Sequence, residues 1–260
     1  MKKVLLGVLL AATALTGFAQ TPEEKGLAIA IEGDKRGEGF GDSQVKLKMV
    51  LIDSKGRESS RDMRVKSMEG KGEKGDKSLM IFDTPKDQKG VAMLTFTHKT
   101  KSDDQWLYLP ALKRVKKISS RNKSGPFVGS EFAFEDISSQ EVEKYTYKYL
   151  RDEVVDGMDC FVVESDPVDK YSGYTRRVAF IDKQEYRALK IDFYDRKNSL
   201  LKTLSNKDFK QYLGKYWYPN LSEMTNHQTG KATRLAYENY EFRVGLKEKQ
   251  FTKNSLKRAK

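Results

Sequence analysis

The sequence predicts a mainly β protein in which a single curved antiparallel sheet forms a half-open barrel, with a few short α-helices as its lid. Apolar and polar residues alternate in one run after another. Short turn sequences separate these runs at regular spacing, and no internal repeat or linker divides the 260 residues. Such a pattern is typical of one antiparallel sheet that curls upon itself. We therefore expect a single domain over residues 20–260.

Residues 1–19 have the pattern of a cleaved secretory signal peptide. Lys2 and Lys3 form a basic start, an apolar run extends from 4 to 15, and small residues lead to an expected cleavage site after Ala19. The apolar run is short for a membrane span, and no cysteine stands at the cleavage site to take a lipid anchor. We expect a soluble exported protein.

The mature chain begins with a predicted helix. Thr21 is a suitable N-cap, and Pro22 fits the first turn. Leu27, Ala28 and Ile31 are expected on its apolar face, and the glycines that follow end it. The helix is short, so it needs an apolar surface to lie on.

Strands follow almost without interruption, and each alternating run ends at a turn signal such as Asp156-Gly157. Between the runs, the residues near Ser138 have spacing that suits a short helix. The predicted strands are 44–53, 61–68, 77–82, 91–98, 105–109, 113–118, 145–153, 158–165, 174–182, 186–194, 200–212, 216–229 and 232–242.

The apolar residues of the first strands predict a cavity rather than an ordinary core. Methionine adapts to varied apolar shapes, and a curved sheet of many strands encloses more space than its own side chains fill. The segment from Ser124 to Phe134 and the first helix are expected to cover this cavity. The residues predicted to line it are Met49, Leu51, Met63, Val65, Met80, Phe82, Met93, Phe96, Trp106, Tyr108, Phe127, Phe132 and Phe134.

Basic residues are predicted to surround the mouth of the cavity. The chain has a formal net charge of +12, which favours anionic partners such as lipid head groups or an acidic protein face. Nucleic acid fits poorly with an exported protein. The residues predicted to bind a head group or a protein partner are Lys113, Arg114, Lys116, Lys117 and Arg121.

Catalytic and metal-binding patterns are weak. His98 and His227 are the histidines of the chain, and neither has the spacing of a metal-binding pair. Cys160 lies in an apolar run and is expected to be a buried hydrophobic residue. We predict no enzyme activity, no catalytic residue, no metal and no cofactor.

Three acidic residues near the loop at Phe127 leave an enzyme as an alternative. Glu131, Glu135 and Asp136 offer two acids for glycoside hydrolysis. We favour ion pairs of these acids with Arg121, Lys123 and Lys113, which would hold the loop in place.

One stretch carries a resemblance to a known family. WLYLPALKRVKKI at 106–118 and SGPFVGSEFAFED at 124–136 resemble the signature of the outer-membrane lipoprotein-sorting proteins, the LolA-like family. FDTPKDQKG at 82–90 continues it more loosely. The chain is most similar to the larger branch found alongside RND-type exporters.

This resemblance implies a LolA/LolB-like half-barrel in the periplasm with an apolar cavity for the acyl chains of a lipid or lipoprotein. It also implies a carrier that takes its cargo from an RND-type inner-membrane transporter and passes it towards the outer membrane, with peripheral membrane contact. The longer C-terminal half and the loop at Phe127 leave free lipid or another hydrophobic molecule open as cargo. The alternative is an accessory subunit that docks on an exporter through a basic face and carries nothing.

Overall fold

The computed structural model describes residues 20–71 and 74–258. The predicted signal peptide lies outside these residues. Each predicted strand is present, with ends that differ by a few residues. The helices are α1 Pro22–Gly37 and α2 Lys253–Lys257, and the strands are β1 Asp42–Ile52, β2 Glu58–Met68, β3 Lys74–Phe82, β4 Ala92–His98, β5 Asp104–Leu109, β6 Arg114–Ile118, β7 Tyr145–Val155, β8 Met158–Pro167, β9 Tyr174–Asp182, β10 Ala188–Asp195, β11 Leu200–Tyr212, β12 Tyr216–Asn226 and β13 Ala232–Phe242.

The strands form one sheet of 13 strands in the order β6-β5-β4-β3-β2-β1-β13-β12-β11-β10-β9-β8-β7. Neighbouring strands are antiparallel throughout. The edge strands β6 and β7 do not pair with each other in the described part of the chain. The prediction of a single antiparallel sheet is therefore confirmed, and this sheet is not closed.

The sheet bends strongly around one face. Ile118 on β6 and Tyr174 on β9 belong to the same buried cluster, although ten strand positions separate their strands. In a flat sheet, strands ten positions apart would lie about 48 Å from each other. The face that carries this cluster is therefore the concave face, and we call the cluster the concave cluster.

Helix α1 lies against β7 on the concave side. Its start has a full capping box, since the Thr21 hydroxyl accepts from the Glu24 amide while Glu24 accepts from the Thr21 amide. The buried residues of α1 are Gly26 and Ile29. The predicted apolar face was wrong: Leu27, Ala28 and Ile31 are exposed.

The contact of α1 with β7 depends on a glycine. A Cβ atom on Gly26 would lie 2.7 Å from the Tyr149 amide nitrogen and 2.8 Å from the Lys148 carbonyl carbon. The helix backbone therefore rests directly on the strand backbone. This close approach explains why a small residue, rather than Leu27 or Ile31, occupies the buried face.

We expect Gly26→Ala to lower the free energy of unfolding by about 1–3 kcal/mol, because two backbones must separate to admit one methyl group. Gly37→Ala is a matched control in the same helix, since nothing lies within 4 Å of its Cβ position. It should be neutral or stabilise by up to about 1 kcal/mol. Urea unfolding of both variants measures the difference, and equal effects would contradict the close contact.

The C-terminal segment, residues 243–258, covers the opposite, outer face of the sheet. Phe251 and Leu256 are 2% and 0% exposed. They pack on Leu79, Leu94 and Trp106, whose side chains point away from the concave cluster. We call this second group the outer cluster. The strands β3, β4 and β5 therefore have an apolar core on each face, as sheets buried on both sides do.

Helices of the described residues contain no segment that is both long and apolar enough to cross a membrane. Cys160 is a free, fully buried cysteine. Burial raises the pKa of its thiol, which suits the packing role that the sequence predicts.

Candidate functional site

Methionine and phenylalanine form the centre of the concave cluster. Met49 and Phe82 are 0% exposed, and Met63 and Met93 are 1% exposed. Met80 belongs to the same cluster, and Leu51 and Val65 pack beside it. Seven of the eight lining residues predicted on the first four strands therefore meet at one place on the concave face, and Phe96 is the exception.

The space over this cluster is filled by the chain itself. Residues 124–134, which we call the plug, belong to the connection between the edge strands β6 and β7. Phe127 is 0% exposed and Phe132 is 5% exposed within the concave cluster. The Phe127 ring centroid lies 6.0 Å from that of Phe82 and 5.6 Å from that of Phe134. The aromatic residues of the plug thus occupy the apolar surface that a hydrophobic ligand would need.

Polar contacts fasten the plug to the sheet. The Lys202 ammonium donates to an Asp136 carboxylate oxygen at 2.7 Å and to the Glu131 carbonyl at 2.8 Å. The Lys202 and Asp136 side chains are 4% and 7% exposed. The Asn226 amide donates to the Glu131 carboxylate, and Arg61 donates to the Val128 carbonyl. The attachments come from several strands, so the plug is held at more than one point.

The middle of the plug is strained. Val128 has φ 46° and ψ 40°, in the left-handed region. A β-branched residue rarely adopts this conformation, and it costs of order 1–3 kcal/mol unless surrounding contacts hold it. The closed plug is therefore less stable than its buried aromatic rings alone would make it.

The carboxylates considered for hydrolysis are all used in structural contacts. Glu135 accepts from the Gly173 amide and the Ser172 hydroxyl at 2.8 Å each, and burial raises the pKa of the Glu135 carboxyl. Among the predicted ion-pair partners Lys123 lies 3.9 Å from Glu135. The buried partner of Asp136 is Lys202, a residue that the sequence analysis did not single out.

An open cleft of about 410 Å³ remains beside the plug. Its floor is apolar and continuous with the concave cluster, through Leu107, Ile118 and Phe134. Its edge carries Lys116 and Arg121, which make no ion pair with another described residue. An apolar floor with a cationic edge suits an amphiphile with an anionic group.

The predicted basic residues do not all share one side. Arg114 and Lys116 pair in register with Leu109 and Leu107, so they point to the concave side of edge strand β6. Lys117 points to the outer side, 2.6 Å from an Asp104 oxygen. Lys113 is exposed in the turn before β6, and Arg121 is exposed after it.

Three of the predicted cavity residues lie on the other side of the sheet. Phe96, Trp106 and Tyr108 belong to the outer cluster, beneath the C-terminal segment. The sequence predicted that all of these residues line one cavity. This prediction is wrong for these three, because the predicted residues divide between two clusters on opposite faces. The spacing of the residues contains the signal: Met93 and Phe96 are three positions apart on β4, and residues at odd spacing on a strand face opposite ways.

The histidines have ordinary polar partners. His98 Nε2 lies 3.0 Å from an Asp104 oxygen, and His227 Nε2 lies 2.8 Å from the Thr203 hydroxyl. Among residues 20–71 and 74–258, no three His, Cys, Asp or Glu side chains form a group able to hold a metal.

A wall of aromatic rings on β11, β12 and β13 was not predicted from the sequence. The Tyr240 ring lies 5.2 Å from Tyr212, 5.3 Å from Tyr218 and 5.8 Å from Tyr237. Burial raises the pKa of Tyr218 to about 12. Tyr218 also borders a cavity of about 750 Å³ at the C-terminal end of α1. The alternation of residues along β13 could have indicated the aromatic wall, since Leu235 and Tyr237 lie on the same face of the strand, in the concave cluster.

Comparison with known proteins places the fold among described families. A family model described as "Uncharacterized protein" matches residues 74–258. No curated protein sequence matches this chain significantly.

Solved structures give closer matches. A Vibrio parahaemolyticus domain described as an outer membrane lipoprotein-sorting protein is 55% identical, with a TM-score of 0.88 over 90% of this chain and 99% of that one. A DUF1329 family protein from Desulfovibrio piger is 28% identical, with a TM-score of 0.86 over 91% and 99%. A LolA superfamily protein from Nitrosomonas europaea shares the fold at 23% identity, with a TM-score of 0.70 over 88% and 97%.

Proposed function

Because the chain belongs to the outer membrane lipoprotein-sorting protein family, with the fold of the LolA superfamily, we propose that it carries acyl chains of a lipid or lipoprotein on its concave face. One observation supports this most directly. The concave apolar surface is covered by the plug, a segment outside the sheet, rather than by the sheet's own side chains. Phe127 occupies the site of a hydrophobic cargo, and the cargo binds to the concave face when the plug moves away from it.

The energetics allow this exchange. Burial of an acyl chain contributes about 0.8 kcal/mol per CH₂, so a chain of about ten carbons contributes roughly 8 kcal/mol. Opening the plug removes Phe127 and Phe132 from the concave cluster, at about 2–3 kcal/mol for each side chain. It also breaks the contact of Lys202 with the Glu131 carbonyl, while the strain at Val128 is released. The free energy gained by burying the acyl chain and the free energy needed to open the plug are of similar size. The plug can therefore compete with cargo without excluding it.

The route of the cargo is part of the proposal. The carrier works in the periplasm, takes its cargo from an RND-type exporter in the inner membrane, and delivers it to the outer membrane. Cargo enters through the cleft, because its apolar floor leads to the concave cluster. Arg114, Lys116 and Arg121 attract an anionic head group, an anionic membrane surface or an acidic face of the exporter.

The alternative proposal is an accessory subunit that docks on an exporter and carries nothing. The filled concave face favours it, since Phe127 is 0% exposed within the concave cluster. Organic extraction of the purified protein followed by mass spectrometry separates the two proposals. Acyl chains that co-purify in stoichiometric amount support the carrier, and repeated absence of any bound lipid favours the docking subunit.

Phe127→Ala is the direct test of the carrier proposal. The apparent affinity of a ligand falls with the fraction of protein in the competent state, and loss of the Phe127 ring removes about 2–3 kcal/mol from the closed plug. We expect a fluorescent fatty acid to bind the variant at least about tenfold more tightly, since about 1.4 kcal/mol corresponds to tenfold. Fluorescence titration measures this effect.

Phe161→Ala provides the matched control for Phe127→Ala. Phe161 is a half-buried ring on β8 that lies beside Tyr186, away from the plug. This control should leave the fatty-acid affinity within twofold of the wild type. If both variants bind the probe with the wild-type affinity, the plug does not compete with acyl chains and the proposal is wrong.

A further inference from the structure

A second pocket, distinct from the cleft, lies where the two edges of the sheet approach each other. We call it the polar pocket; its volume is about 290 Å³. It is bounded by the β4–β5 loop, the residues after β6, the segment 135–145 and the β8–β9 loop. Ile118 lines both the polar pocket and the cleft. A ligand with a chain in the cleft can therefore extend a polar group into the polar pocket.

The polar pocket is electrically balanced, although the whole chain is strongly basic. Lys101, Lys123 and Lys144 stand against Asp103, Glu135 and Asp169 in its lining. Lys123 lies 2.8 Å from an Asp169 oxygen, and Lys144 lies 2.5 Å from an Asp103 oxygen. Positive and negative groups thus alternate over a few ångströms. Such a lining complements a ligand that carries both charges better than one that carries a single charge.

The polar pocket also has unused hydrogen-bonding groups. The hydroxyls of Thr100, Ser119 and Ser120 line it and make no side-chain hydrogen bond with the described residues. Lys101 is exposed at its edge and makes no ion pair within the described chain. A free ammonium and several free hydroxyls are donors that suit phosphate oxygens.

The wall of the polar pocket has attachments to the sheet outside the plug. Gln105 donates to the Ser138 hydroxyl at 3.0 Å, and the Tyr145 hydroxyl donates to Gln140 at 2.6 Å. Arg177 donates to the same Gln140 oxygen. The segment after the plug therefore has its own attachments to the sheet, besides the bond that Gln105 donates to the Phe134 carbonyl of the plug at 2.8 Å.

We propose that the polar pocket binds a zwitterionic head group with a phosphate and an ammonium, of the phosphoethanolamine class. This inference rests on the proposed carrier function for its biological role, since it places the head group beside the acyl chain. Lys101 and the free hydroxyls bind the phosphate, and Asp103 and Asp169 bind the ammonium. The cationic edge of the cleft differs from the polar pocket, because it favours a head group that carries only negative charge.

The test uses head groups without chains and with short chains. Glycerophosphoethanolamine and glycerophosphoglycerol are titrated into the full chain by calorimetry, and then the dihexanoyl phospholipids with the same two head groups. We expect the phosphoethanolamine form to bind at least about tenfold more tightly in each pair, equivalent to about 1.4 kcal/mol. Ser120→Leu, which fills the polar pocket, should abolish this preference, and Lys101→Gln should weaken binding of both phosphate ligands.

Controls separate this inference from the carrier proposal. Ser60→Leu changes an exposed serine on β2 and should leave the preference intact, while fatty-acid binding should stay within twofold in all three variants. Equal binding of the two head groups, or a preference that survives Ser120→Leu in a folded variant, overturns the head-group site and leaves the carrier standing. Head-group binding without any fatty-acid binding supports the polar pocket and removes the carrier.

Discussion

Lys202→Met is expected to lower the free energy of unfolding by about 3–5 kcal/mol, because it leaves the Asp136 carboxylate buried without its cation. Methionine keeps the length and most of the volume of the lysine stem, so the packing changes little. The remaining partners of Asp136 are the Tyr174 hydroxyl and the Ala133 amide. Neither of them neutralises the charge. Urea unfolding monitored by tryptophan fluorescence measures the loss.

The matched control replaces the lysine of an ion pair near the surface. Lys183→Met is this control, because Lys183 lies 2.8 Å from an Asp152 oxygen and the two side chains are 33% and 52% exposed. An ion pair near the surface contributes little to the free energy of unfolding, so the loss in this variant should be small. The double variant Lys202→Met/Asp136→Asn removes both buried charges and should recover much of the stability. If Lys202→Met lowers the free energy of unfolding no more than Lys183→Met, the buried pair does not anchor the segment that follows the plug.

The strands could be predicted from the sequence because their signals are local. Alternation over five or more residues fixes a strand, and a turn sequence such as Asp156-Gly157 fixes where it ends. Asp156 and Gly157 both adopt the positive φ angles that this turn requires. The capping of α1 at Thr21 was predictable for the same reason, since both of its hydrogen bonds join residues three positions apart.

The buried face of each element was harder to predict, because it depends on distant partners. Alternation says that Leu107 and Trp106 face opposite ways, but it does not say which face is concave. Nothing in residues 243–258 indicates that Phe251 covers an outer face. The side chains of α1 were assigned by hydrophobicity, whereas the close approach to β7 selected Gly26.

The site itself was predictable only in part. The plug stands out in sequence because a glycine-rich loop seldom offers Phe127 beside Val128. The contacts that hold the plug do not stand out, since Lys202 and Glu131 are 71 residues apart and no local pattern links them. The polar pocket gathers loops from both sheet edges, so it exists only when β6 and β7 approach each other without pairing.

Phe251→Ala is expected to lower the free energy of unfolding by about 3–5 kcal/mol, the usual loss for a buried phenylalanine in a core. The ring is 2% exposed in the outer cluster, where it packs with Leu256 and Trp106. Lys77 holds the same segment through an ion pair with Glu248. Because the C-terminal segment lies on the face opposite to the plug, fatty-acid affinity should stay within twofold of the wild type. Thermal and urea unfolding measure the stability.

Phe127→Ala should behave in the opposite way, although both rings are fully buried on the same sheet. If the plug opens while the sheet stays folded, the loss of global stability cannot exceed the free energy that closes the plug. The Phe127 variant should therefore lose less stability than the Phe251 variant and gain affinity for the fatty acid. Equal stability losses with no change of affinity in either variant would mean that the plug is an ordinary part of the core. The carrier proposal depends on that difference, because a cargo site must open at a lower free energy than the sheet that supports it.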